Sequence, residues 1–162
     1  MLFALMLAVS PAPAATDLPN FEFRGITAGV PVDEKTTKGC KGRDDLEGYR
    51  SCVTLSDSLA GVGASTVVSY YNGKLSSVYL TSSQGNYRTI ADAFKQKYGK
   101  PCDVRQEEWK SRGGVTIENT IVTWCFKSGR LQLNEVGGKL GEMSASYSDD
   151  NEPPRPQPKV DF

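Results

Sequence analysis

The sequence predicts an α+β fold: a single antiparallel sheet with one main helix, residues 86–98, packed on one face. Three observations carry this expectation. Two β-rich runs flank Asn72-Gly73, and these two residues tolerate the positive φ that a tight hairpin turn requires. Tyr87, Ile90, Ala91, Phe94 and Tyr98 then recur at helical spacing and make one apolar stripe. Beyond the helix, alternating apolar and polar runs are separated by glycine-containing turns, as in an antiparallel meander with one dry face.

Length and composition set the frame. The chain has 162 residues, 38% of them hydrophobic and 23% charged, which is ordinary material for one globular domain. A domain of that size buries enough surface to fold without metal. The 19 Lys and Arg balance the 19 Asp and Glu. A neutral chain lacks the basic excess expected of a nucleic-acid binder. There is no histidine. That removes the commonest general base, the Ser-His and Cys-His nucleophile pairs, and the usual zinc ligand.

The elements follow in order. Residues 2–9 are a short apolar run, and Ala12-Pro13-Ala14 fits a small-x-small cleavage site, so residues 1–14 read as a secretory signal peptide without the usual positive start. The run is too short to span a bilayer, and no cysteine follows it for lipid attachment, so no stable membrane anchor is expected. Phe21 and Phe23 alternate with Glu22 and Arg24 as a strand. Pro31 near the start, acids in the first turn and Gly39 after the lysines suggest a short second helix over 31–38. Residues 41–50 read as a mixed-charge loop. The central hairpin follows, its register open because both faces carry apolar residues.

Asn86 is the expected helix N-cap. Gly99 is the expected residue just past its end, and Pro101 forbids continuation. The strongest later strand is 115–126. Its Val115, Ile117, Ile121 and Cys125 are expected to face the core, with Trp124 on the other side. The domain is expected to fill 15–148, and the proline-rich 149–162 to be a disordered tail.

Four cysteines, Cys40, Cys52, Cys102 and Cys125, in an exported chain read as two disulfides. Cys40 and Cys52 bracket a polar segment, while Cys102 follows the helix and Cys125 lies in a strand. Context therefore favours Cys40–Cys52 and Cys102–Cys125. The spacings lack the short knuckle of a zinc site, and neither a metal nor a cofactor is implied.

Chemistry-bearing constellations are few. Asp44, Asp45 and Glu47 lack the spacing of a calcium loop. Glu107 and Glu108 are adjacent on a strand and point to opposite faces. No catalytic set is visible. The candidate binding site is the loop closed by Cys40 and Cys52, with Arg43, Asp44, Asp45, Glu47, Tyr49 and Arg50. A closed loop is preorganised, and Arg and Tyr often anchor interfaces.

The segments GITAGVPVDE (25–34) and NYRTIADAFKQKYGKP (86–101) resemble a pattern in small exported bacterial and prophage proteins. They are more faintly similar to the outer-membrane assembly lipoproteins and the secreted beta-lactamase inhibitor proteins. That resemblance implies short helices and an antiparallel sheet presenting a protein-binding surface. It transfers no site residue, and the lipoproteins' attachment cysteine is missing here.

Two functions are carried forward. One is a periplasmic or secreted, non-enzymatic binding module, of inhibitor, immunity or envelope-accessory kind, whose partner is another envelope or exported protein; the oligomeric state is left open. The alternative is a carboxylate-dependent hydrolase of the cell envelope, which the absence of histidine permits. A cleft holding two facing carboxylates favours the hydrolase, and a flat aromatic face favours binding.

Overall fold

Residues 18–150 are described by the structure, a computed structural model. The expected signal peptide and residues 151–162 of the expected tail lie outside them. β1 (Glu22–Phe23) and β2 (Ile26–Thr27) make a small antiparallel ribbon. β3 (Lys41–Arg43), β4 (Leu46–Leu59), β5 (Val62–Tyr71) and β6 (Lys74–Ser83) form a first meander. The helix α1 (Tyr87–Tyr98) follows. A second meander is made by β7 (Asp103–Lys110), β8 (Thr116–Phe126), β9 (Gly129–Asn134) and β10 (Glu142–Asp149). The meanders join through β6 and β10 into one eight-stranded antiparallel sheet, ordered β3-β4-β5-β6-β10-β9-β8-β7. The single sheet expected is thus accompanied by a separate two-stranded ribbon.

The two halves repeat one plan. A helical segment leads to a cysteine, then a strand, then a second strand carrying the partner cysteine, then two more strands. In the first half the helical segment is a 3-10 turn, Glu34–Thr37, and Cys40 bonds Cys52 in β4. In the second it is α1, and Cys102 bonds Cys125 in β8. The pairing is the one that context favours. The second helix expected over 31–38 shrinks to that four-residue turn, capped by Asp33 Oδ1 accepting from the Lys35 amide. None of its residues is buried, so no apolar face holds a longer helix in place.

Period-2 alternation sorts the sheet into two faces. Val78 and Leu80 of β6 point inward, next to Tyr147 and Ala145 of β10, and Trp124 and Val122 of β8 share that face. Ile90, Ala91 and Phe94 of α1 pack there, with Phe94 edge-on to Trp124 at 5.8 Å between ring centres. Phe21 stacks on Tyr147 at 3.8 Å, so the segment around β1 helps α1 to cover the same side.

Three further expectations change, on the facing of β8, the cap of α1 and the end of the sheet, and the hairpin register left open is set. Trp124, not Ile121 or Cys125, faces the core on β8. The indole is almost wholly buried, and its Nε1 donates to Gly99 O at 3.0 Å, which satisfies its one polar atom; Ile121 is buried too, but on the opposite face. Leu75 and Val78 share the inner face because a bulge between Ser69 and Tyr70 of the β5–β6 pairing leaves Ser76 as the extra residue. Asn72 and Gly73 take φ of 49° and 72°, the two-residue turn anticipated. Asn86 gives α1 no side-chain cap; it donates instead to Ser82 Oγ, since a 3-10 turn, Gln84–Asn86, already leads into the helix. β10 runs to Asp149, and the Asp150 amide donates to Ser128 O at 2.7 Å, so the sheet extends past residue 148.

Burial pushes the Tyr147 phenol up to about 12 and raises that of Tyr98 as well. In the unfolded chain both titrate near 10. Their contribution is therefore complete below about pH 10 and lost as pH rises through the folded values. The melting temperature is expected to fall between about pH 10 and 12, and to fall less steeply in Tyr147→Phe, which keeps the ring.

Candidate functional site

If Val78 and Leu80 point inward, Tyr79 points outward, on the face that carries no helix. The register sets Val53 beside Val67 and Val67 beside Tyr79, one continuous apolar row across β4, β5 and β6. Parallel to it runs a ladder of serines, Ser51, Ser69, Ser77 and Ser148, across β4, β5, β6 and β10. Small hydroxyl side chains leave the larger neighbours standing proud. Val53 is 58% exposed, Leu55 77% and Tyr79 43%.

A cleft of about 620 Å³ opens beside Leu55. Ser65 and Thr81 contribute hydroxyls, and Leu140 with Lys139 and Glu142 closes it from the β9–β10 connection. Leu140 is itself largely exposed. The cleft thus has aliphatic walls and a hydroxyl-bearing floor.

Asp57 also lines this cleft. A bulge in the β4–β5 pairing between Thr54 and Asp57 turns it toward the N-terminal ribbon. Its Oδ1 accepts from Arg24 at 2.7 Å and its Oδ2 from the Thr66 hydroxyl at 2.6 Å. Arg24 also donates to Ser58 O at 3.0 Å. The Arg24 guanidinium is the main reason that the Asp57 carboxyl sits below its usual range. The cleft therefore holds two carboxylates, Asp57 and Glu142, but Asp57 is fixed as the anion in a structural clamp. A carboxylate pair for glycoside chemistry needs one member held protonated. A second acidic pair, Glu108 opposite Glu118, sits on the exposed end of the β7–β8 hairpin, where nothing keeps water out.

The loop expected over 41–50 is a hairpin, β3 and the start of β4, turning at Asp44 and Asp45. Regular pairing wins over the loop because Lys41 and Gly42 bond in register with Ser51 and Arg50 next to the Cys40–Cys52 bridge. Its six candidate residues part company. Arg43 donates from Nε and NH2 to the Asp45 carboxylate at 3.0 and 2.8 Å, and its guanidinium lies 5.7 Å from the Tyr49 ring centre. Each partner's pKa moves accordingly, Arg43 up and Asp45 down. Asp44 and Glu47 project into solvent. Tyr49 belongs to the helix-free face, where its hydroxyl donates to Ser69 Oγ at 2.8 Å. Arg50 pairs with Tyr70 on the opposite face and lines a separate hollow beside the 3-10 turn.

Val53, Leu55, Val67 and Tyr79 escaped the sequence reading. The alternating Val53-Thr54-Leu55 was a usable signal, but which side of it meets water depends on the register. Arg24 and Asp57 are 33 residues apart, and no spacing links them. Among the described residues, no helix is long and apolar enough to cross a membrane. No family model matches this chain, and neither any curated protein nor any solved structure matches it.

Proposed function

We propose that this chain is an exported protein-binding module, of inhibitor, immunity or envelope-accessory kind, that docks another envelope or exported protein on the helix-free face of its sheet. The observation that supports this most is the row Val53, Val67 and Tyr79, with Leu55 beside it, on the face opposite the one that α1 packs against. Exposed apolar side chains that adjoin one another on a neutral surface mark interaction sites more often than scattered ones do. Two disulfides in a chain of this size suit an oxidising compartment, in keeping with a periplasmic or secreted protein. Tyr49 lies on the docking face, so the β3–β4 hairpin forms its rim rather than its centre.

A double variant, Val53→Lys with Tyr79→Lys, tests the reading. Both side chains stand in solvent, so melting is expected to stay near that of the wild type. Capture of the partner from an exported or envelope fraction is expected to weaken by about 2 kcal/mol or more, as for interface anchors. The Arg43→Ala variant is expected to change capture far less, because its side chain is already held by Asp45. Undiminished capture by the folded double variant would move the site elsewhere.

A further inference from the structure

We propose that residues 53–56 of β4 form an open sheet edge that takes a short, uncharged extended segment of the partner as an added strand; this rests on the docking face just described. β4 is 14 residues long, but β3 pairs only with its first part, up to Ser51. Cys40, bonded to Cys52, closes the lane there. At the other end, Arg24 covers the carbonyl of Ser58. Between these stops Val53, Thr54, Leu55 and Ser56 are all exposed, and no charged residue stands among them.

The opposite edge of the sheet shows what a guarded edge looks like. β7 carries Asp103, Arg105, Glu107, Glu108 and Lys110, with Arg105 paired to Glu107 at 2.6 Å. Charges along an edge are the usual protection against strand addition. β4 lacks them over residues 53–56, where no strand among the described residues lies on the side away from β5. An incoming strand forms main-chain hydrogen bonds with the groups of this stretch that point away from β5, the Leu55 carbonyl being held by the Ser65 hydroxyl, and lays its side chains beside Val53 and Leu55. That asks for small apolar residues at alternate positions and no charge between them.

A second copy of this chain fits less well. Two-fold antiparallel pairing sets residues of like facing opposite each other. The bulge after Thr54 ends the regular run. Pairing centred on Thr54 then drives Ser56 of each copy into the lane that Cys40 fills beside Cys52 in the other. A short foreign segment meets no such obstacle.

The test uses the full chain, amide-resolved NMR and the synthetic peptide acetyl-Thr-Val-Thr-Leu-Thr-amide. A matched peptide is N-methylated at alternate amides so that it cannot donate to an edge. The first peptide is expected to shift and protect the amides of residues 53–56. The methylated one is expected to bind at least about tenfold more weakly, and Leu55→Lys to lose the same factor with unchanged melting. Equal binding of both peptides, with shifts centred on Val67 and Tyr79, would overturn strand addition while leaving the docking face in place. Absence of binding at millimolar peptide, or shifts centred on β7, would overturn it as well. So would a dimer in sedimentation that Leu55→Lys dissociates, since that seats a second copy on the edge.

Discussion

Phe94→Asp is expected to leave the protein largely unfolded at 25 °C. Phe94 is buried on the inner face of α1, edge-on to Trp124 and to Tyr98, with ring centres 5.8 and 5.6 Å away. Truncating a buried phenylalanine costs about 3–5 kcal/mol. The aspartate adds a carboxylate with no partner in an apolar site, which raises the cost further. Native domains hold only about 5–15 kcal/mol in total. The measurement is a circular dichroism melt, and the expected outcome is no cooperative transition. A melt within a degree or two of the wild type would mean that α1 does not pack through this face.

The second large effect is expected at Gly129, the first residue of β9. It stands opposite Asp149 of β10, and a Cβ added there would run into the backbone carbonyl of Ser148. Backbone paired on both sides, as β9 is between β8 and β10, gives way less readily than a flexible side chain. Gly129→Ala is therefore expected to destabilise by about 3 kcal/mol, the upper end of the overpacking range. Gly138→Ala makes the control, because a Cβ there meets nothing within 4 Å. Thermal melts should separate the two by several degrees.

How far the fold was legible depends on the range of the signal. The Asn72-Gly73 turn and the α1 stripe are local, and both stand where the spacing put them. The disulfide pairing followed from where each cysteine fell relative to helix and strand. Facing on β8 was misjudged, because alternation alone does not say which side is dry; the long reach from Trp124 to Phe94 and Gly99 decides it. The hairpin faces depended on a bulge at Ser76, which adjacent sequence does not announce. Residues 41–50 looked like a loop because they are polar throughout. An exposed edge hairpin is polar for the same reason, since neither of its faces is buried.

The candidate site was less legible than the fold. Apolar exposure on Val53, Leu55 and Tyr79 is a property of the finished sheet, arising only when β4, β5 and β6 align and α1 takes the other face. Charge is the most visible feature of 41–50, yet Arg43 and Asp45 neutralise each other within the hairpin. Of the residues expected there, Tyr49 lies on the open face, bonded to Ser69, with the Arg43 guanidinium beside its ring.

The central claim is that a partner docks on the helix-free face. Site-specific photo-crosslinking addresses it most directly, with the reactive side chain placed at Tyr79 on that face and, separately, at Lys95 on the solvent side of α1. The account predicts a crosslinked adduct from position 79 and none from position 95 when the protein is exposed to an exported or envelope fraction. An adduct from position 95 alone would contradict it.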